Sequence, residues 1–403
     1  MSAQLFLCDA EEDYPKFLPF ALSRPLGELR YGAWLLRERW GVRHGLTVAG
    51  HLSAPHLRGF TEPGAPPVVP APGDRDSARL VFRSTFVPAA DATPGEVPRE
   101  PTRFVDGAGT TIGAALPPGT PWLALSETAA WPARAIAGKR LEGVWQLIGD
   151  LPAVLREDLA HLAARRGPGT VPAACTVLGD PSLVLVEDAL VEPHVVFDVR
   201  DAPVWLGPGA EVRAFTRLTG PMAVHAGTRI VGGQLRESSV GPKCVVHGEV
   251  STSLFLGYAN KAHDGFLGHS VVGRWANLGA GTITSNLKNT YGPVRLNLGS
   301  ERVETGLTFL GALIGDHVKT AIGTMLPTGC AIGTGANVYG TKRPEQHVPP
   351  FAWGTDEPGH LLACRMFLRT AGRVLPRRDV ACDDAVRTYL TAVWQAATGL
   401  ECD

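Results

Sequence analysis

Nowhere in the 403 residues do about 18 apolar side chains run together, so the sequence offers no helical membrane span. Charge is sparse and nearly balanced, 19% of residues for a net of −1, and no broad basic field is available for nucleic acid or an acidic membrane. A small-molecule substrate is the default expectation. The seven cysteines, at 8, 175, 244, 330, 364, 382 and 402, form no CxxC pair and are odd in number, which argues against a disulfide framework and against a zinc knuckle. The opening Leu5–Cys8, followed by Asp9, Glu11, Glu12 and Asp13, has neither the basic leader nor the apolar run of a secretion signal, and a cytoplasmic location is expected. The phosphate-cradling patterns GxGxxG and GxxxxGK[ST] are missing from the first half. Arg83-Ser-Thr-Phe86 also lacks the carboxylate that magnesium would want there.

Glycine and proline are abundant, 47 and 33 residues, and mark a chain of many turns; its length suggests two or three structural units. Leu5–Cys8 and Arg79–Phe82 have the pattern of short buried strands. Apolar residues at 29, 33, 36 and 40 predict one helix ending before Gly41, and Leu141 to Leu162 predict another. Pro- and Gly-rich stretches lie at Glu62 to Gly73 and Asp91 to Pro101. This alternation indicates an α/β domain over residues 1–170. Arg24, Glu28 and Arg30 follow the first strand, where a nucleotide phosphate could be met, though a solvated turn would use the same residues.

From Leu206 an aliphatic residue recurs every sixth position with a Gly-containing turn behind it: Leu206, Leu218, Val224, Ile230, then Val272, Leu278, Ile314, Leu326, Ile332 and Val338. Three hexads make one triangular coil of a parallel β-helix. Each buried aliphatic contributes about 1.5–3 kcal/mol, but only when the next coil covers it. The expected β-helix spans 171–345, followed by a C-terminal extension, 346–403, whose apolar positions 386, 389, 390, 393, 394 and 397 predict a helix. Cys244 and Cys330 occupy small-residue positions of the repeat. The rhythm breaks at Thr252 to Phe266 and Thr284 to Leu307, which are expected to leave the coil as loops, where function concentrates.

Lys261-Ala-His263, Phe266-Leu-Gly268, Asn277-Leu-Gly-Ala-Gly-Thr-Ile-Thr-Ser-Asn286 and Gly315-Asp-His-Val-Lys-Thr320 together resemble the acetyltransferase domain of N-acetylglucosamine-1-phosphate uridyltransferases and of archaeal sugar-1-phosphate nucleotidylyltransferase/acetyltransferases. The stretch Leu22 to Gly32 is similar to the opening of a GlmU-like bacterial family of sugar nucleotidyltransferases. The resemblance implies a nucleotidyltransferase-like α/β domain followed by a left-handed β-helix, assembled as a homotrimer. It implies acetyl-CoA as co-substrate and an amino-sugar 1-phosphate as acceptor, with UTP and Mg2+ only if the first domain is active. By the same resemblance His263 is the general base, Asn277 and Asn286 contact substrate, Lys288 neutralises the sugar phosphate, and the Gly279-Ala280-Gly281 turn meets acetyl-CoA. Phe266 stands where the family has a tyrosine, no lysine lies near Thr252, and the family's glycine-rich GTRM loop is missing.

The chemistry suits these residue types. A neutral amine attacking a thioester needs one proton acceptor near neutrality, which an imidazole supplies, and a backbone N–H in a small-residue turn can meet the oxyanion. His225, His247, His269 and His317 do not reproduce the spacing of zinc-bearing β-helix trimers, and no metal is expected. The alternatives are a uridylyl- or thymidylyltransferase alone, or a sugar-nucleotide-binding trimeric scaffold without turnover.

Overall fold

The computed structural model describes residues 3–92, 97–166, 169–357 and 359–402. Part of the Asp91 to Pro101 stretch therefore lies outside the described residues. The first half is built on a six-stranded mixed sheet in the order Val48–Leu52, Gln4–Cys8, Arg79–Arg83, Thr111–Leu116, Thr102–Val105, Ala133–Ala135. Gln4–Cys8 runs parallel to both of its neighbours, and its Leu5 and Leu7 are wholly buried. Helix α1 (Leu36–His44) presses Trp40 onto Phe82, with ring centroids 4.6 Å apart. The helix expected from the spacing 29, 33, 36, 40 is therefore wrong at both ends. Gly32, at φ +70°, turns the chain into a two-stranded hairpin of Arg30–Tyr31 and Trp34–Leu35 before α1 begins, and α1 continues past Gly41. Leu29 and Ala33 are buried because the whole segment is enclosed, not because they share a helical face. The helix expected from Leu141 starts later, as α2 (Gln146–Gly149), and after Asp150 continues as α3 (Leu151–Arg166).

From Thr176 the chain winds through three parallel ladders, before Leu206 makes the hexads visible. The nine-stranded ladder runs from Val184–Val186 to His347–Val348, and all its pairings are parallel. Alternate residues on its strands face opposite ways. Leu206, Val224, Val240, Phe255, Val272, Ile314 and Ile332 point inward and stack into a dry core. Their neighbours Trp205, Ala223, Leu254, Val271, Leu313 and Ala331 point outward and are buried too, because α2, α3 and the Phe17–Leu29 segment lie across this face. The architecture is thus an α/β domain packed along one face of a left-handed β-helix.

The two expected interruptions behave differently. Thr252 to Phe266 stays largely in the coil: Leu254–Phe255 and Asn260–Lys261 pair in register with the rungs before them, and only Ala262 to Phe266 bulges. Lys261 occupies the inward position held by Val246 one rung earlier, so the aliphatic rhythm lapses although the rung persists. The second does leave the coil. After Ile283–Thr284 the chain forms an antiparallel hairpin, Arg295–Asn297 with Arg302–Glu304, and the coil resumes at Ala312–Ile314 on top of Val271–Val272. Val294, Leu296, Leu298 and Leu310 in this excursion are buried against the first half.

The C-terminal helices α4 (Cys364–Val374) and α5 (Asp384–Thr398) close the structure around Phe351, Phe367 and Trp394. Contrary to expectation from the odd cysteine count, Cys364 and Cys402 are disulfide-bonded, tying the start of α4 to the chain end; an odd count leaves room for one bridge among free thiols. A buried ion cluster joins the two halves. Asp316 accepts hydrogen bonds from Ser23 Oγ (2.7 Å), Arg24 Nε (2.9 Å) and the Arg274 N–H (2.7 Å), while Glu62 bridges Arg24 and Arg274.

Candidate functional site

His263 sits on the bulge between Asn260–Lys261 and Leu267–Gly268, and its side chain is exposed at a corner of the coil. Buried Lys261 fixes the base of that bulge. Its Nζ donates to the carbonyls of His263 (2.8 Å) and His247 (2.9 Å), which offsets the cost of placing an ammonium in an aliphatic row. Burial draws the Lys261 ammonium down to about 8. Beyond His263 the bulge lies against the next rung: the Gly281 N–H donates to the Asp264 carbonyl and the Thr284 N–H to that of Phe266, both at 2.9 Å. Gly265, at φ +132°, permits this contact, since a Cβ there would lie 2.2 Å from the Thr282 carbonyl oxygen.

The His263 corner is therefore beside the Gly279-Ala280-Gly281 turn. Gly279 N–H is taken by Thr320 and Gly281 N–H by Asp264, which leaves Ala280 N–H as the one donor of the turn without a partner among the described residues. Two residues past the Thr284 contact, Asn286 Nδ2 donates to His269 Nδ1 at 2.8 Å. The His269 ring stacks on Phe309, centroids 5.2 Å apart, and burial, helped by the charge of Arg236, holds it neutral with a pKa lowered to about 4. Nδ1 therefore accepts and Nε2 carries the proton. Gly268 leaves room for Asn286, whose Nδ2 would be 2.7 Å from a Cβ there.

Lys288 Nζ donates to the Pro293 carbonyl at 2.7 Å and braces the root of the excursion. Asn277 accepts from Asn260 Nδ2 (2.9 Å) and lines a cavity under Arg377 and Arg378, two residues before the Gly279-Ala280-Gly281 turn. Arg24, Glu28 and Arg30 are all buried: Arg24 in the ion cluster, Glu28 against His51 (2.9 Å) and Arg37 (2.6 Å), Arg30 against the Ala33 carbonyl and His225. None of the three lines the cavity of about 520 Å³ at the carboxyl ends of Gln4–Cys8 and Val48–Leu52, where Asp9, Ser53, His56, Arg58 and Trp122 do.

Sequence reasoning weighed His269 only as a metal ligand and passed over Arg236 and Phe309. A signal existed for His269, which directly follows Phe266-Leu-Gly268; Arg236 lies on an earlier rung and Phe309 at the end of the excursion, and nothing local marks them. Chemically the bulge and the turn present an exposed imidazole beside a free backbone N–H, and past the next strand stands an amide oriented by His269 within the field of Arg236.

A family model described as sugar nucleotidyl transferase matches residues 5–167. The chain is 35% identical over 91 residues to a bifunctional sugar-1-phosphate nucleotidylyltransferase/acetyltransferase of Sulfurisphaera tokodaii, covering 23% of each chain. It is 36% identical over 86 residues to the bifunctional protein GlmU of Methanocaldococcus jannaschii, covering 21% of each. To the bifunctional protein GlmU of Jannaschia sp. it is 33% identical over 146 residues, 34% of this chain and 31% of that one. The matched segments thus span between a fifth and a third of these relatives' length.

Proposed function

We propose that the chain is an acetyl-CoA-dependent N-acetyltransferase acting on an amino-sugar 1-phosphate, working as a homotrimer and fused to a sugar-nucleotidyltransferase-like domain. The observation that supports this reading is an exposed His263 on a bulge that lies against the turn carrying the unpaired Ala280 N–H, with Asn286 farther along the same stretch oriented by His269. In the reaction, the His263 imidazole removes the proton of the sugar amine as its nitrogen bonds to the thioester carbon. The Ala280 N–H donates to the oxyanion that forms, and the C–S bond then breaks with the proton passing from His263 to the departing thiolate. Asn286, held by neutral His269, presents its amide oxygen to the amine. Arg236 and Lys288 supply positive charge for the sugar phosphate.

In the first half, the cavity beside Asp9 is the place for a sugar nucleotide, at the carboxyl ends of parallel strands. Its carboxylates fit magnesium poorly. Asp9 already accepts from the Leu26 N–H and the Ser53 hydroxyl, burial raises its pKa, and among the described residues no three acidic, histidine or cysteine side chains converge as metal ligands. No step is derived through that metal.

Thiol release from acetyl-CoA on addition of glucosamine 1-phosphate tests the acyl-transfer reading. A His263→Ala chain retaining the full rate would remove the imidazole from the mechanism. Pyrophosphate release from UTP and a sugar 1-phosphate separately tests turnover in the first half.

A further inference from the structure

Lys261 holds the inward place on its rung that Val212, Ile230 and Val246 hold on the three rungs before it, and it is 2% exposed. An aliphatic residue there would extend the dry row at no cost in desolvation, whereas an ammonium must be given partners. The partners it has are two backbone carbonyls of the corner. One, at 2.9 Å, belongs to His247, whose own N–H donates back to the Lys261 carbonyl at 2.8 Å. The other, at 2.8 Å, belongs to His263.

His263 lies in the bulge, off the ladders. Among the described residues the bond from Lys261 Nζ is the only hydrogen bond that any atom of His263 makes. The residue after it is anchored on its own account: the Asp264 carbonyl accepts from the Gly281 N–H, and its carboxylate stands 3.2 Å from His247 Nδ1. Without the lysine's donors, the peptide that carries the imidazole would hang between Ala262 and Asp264 with no fixed point of its own. Placement of a catalytic group matters at this scale, since a misplacement of about 1 Å can cost on the order of 10²-fold in rate.

We propose that Lys261 is a positioning residue for the general base, fixing the His263 peptide from inside the coil, an assignment that rests on His263 being that base. The test is steady-state acetyl transfer by the intact chain. Lys261→Met keeps the apolar row filled and removes only the donors. Its kcat is expected to fall at least about tenfold with KM for acetyl-CoA unchanged, and the pH profile of kcat/KM should keep its acid limb because the imidazole is still the base. Ile230→Val, two rungs earlier in the same inward row, thins the core without touching the bulge and should keep the native kcat while folded. Lys261→Gln, whose amide keeps two donor hydrogens one bond nearer the backbone, should recover part of the loss. A smaller fall in Lys261→Met, a comparable fall in Ile230→Val, or a glutamine variant no faster than the methionine one would each overturn the assignment. Should circular dichroism show the methionine chain unfolded, the glutamine chain decides alone: kcat below native at native KM upholds the role, and native kcat overturns it. His263→Ala is measured alongside. If it keeps the full rate the acyl-transfer reading itself falls; if it is slow while Lys261→Met is not, only the role of Lys261 does.

Discussion

Replacing Asp316 by alanine should uncouple the two halves of the molecule. This carboxylate is 2% exposed and receives four hydrogen bonds, from Ser23 Oγ, from Nε and Nη2 of Arg24, and from the Arg274 N–H. Arg24, itself 1% exposed, would be left with Glu62 as its only carboxylate, and Glu62 is shared with Arg274. Breaking a buried pair from one side strands the partner charge and costs about 3–5 kcal/mol. Removing both sides, as Arg24→Met with Asp316→Leu, leaves no stranded guanidinium and should cost clearly less than the sum of the single changes. The exposed pair Arg295 and Glu304 provides the contrast: Glu304→Ala should fall within about 0.5 kcal/mol of the native chain. Urea unfolding followed by tryptophan fluorescence reads Asp316→Ala, the singles Arg24→Met and Asp316→Leu, their double variant and Glu304→Ala against the native chain. A loss below about 1 kcal/mol for Asp316→Ala, or strict additivity in the double variant, would show that the cluster does not hold the halves together.

His263→Ala should lower acetyl transfer by roughly 10²–10⁴-fold, and Asn286→Ala should lower kcat/KM, while circular dichroism stays native; an unchanged kcat/KM would remove Asn286 from the site. Burial holds His269 at about 4 and His317 at about 3, both below the ordinary 6.5, so the unfolded chain takes up protons before the folded one does. Stability should therefore fall as pH drops from about 6.5 toward 4, and the melting temperature of His269→Gln should show a shallower slope over that range. The Cys364–Cys402 bridge closes a loop of 38 residues, and Cys402→Ser should cost about 3–4 kcal/mol in the C-terminal helices, read as faster proteolysis around α5; native protection would assign their docking to Phe351 and Trp394 alone.

The strands at Gln4–Cys8 and Arg79–Arg83, the coil and helix α5 were legible because each rests on local periodicity. Lys261 hid a rung because it solves a burial problem with two carbonyls instead of an alkyl group, and a pattern of aliphatic residues cannot register that solution. Arg24 looked like a phosphate contact because its partner Asp316 lies 292 residues away, a distance that no motif spans. The disulfide escaped for the same reason. Among the candidate site residues, His263, Asn277 and Asn286 were named through resemblance, whereas the cavity that Asn277 lines depends on where the C-terminal extension folds.

The excursion between Ser285 and Phe309 bears on how such a chain can be dissected. Asn286 and Lys288 stand at its root, and farther along Leu307 packs on Gly149, in the helical segment of the other half. The hairpin acts as a rivet driven from the rung beside Asn286 through to the α/β half. Cutting the chain between the halves would bare Trp205, Leu254 and Leu313 along a whole side of the prism and slacken the strap that seats Asn286. Each fragment would then report on an injured surface instead of an independent enzyme, and point substitutions in the intact chain are the sounder way to ask what each half does.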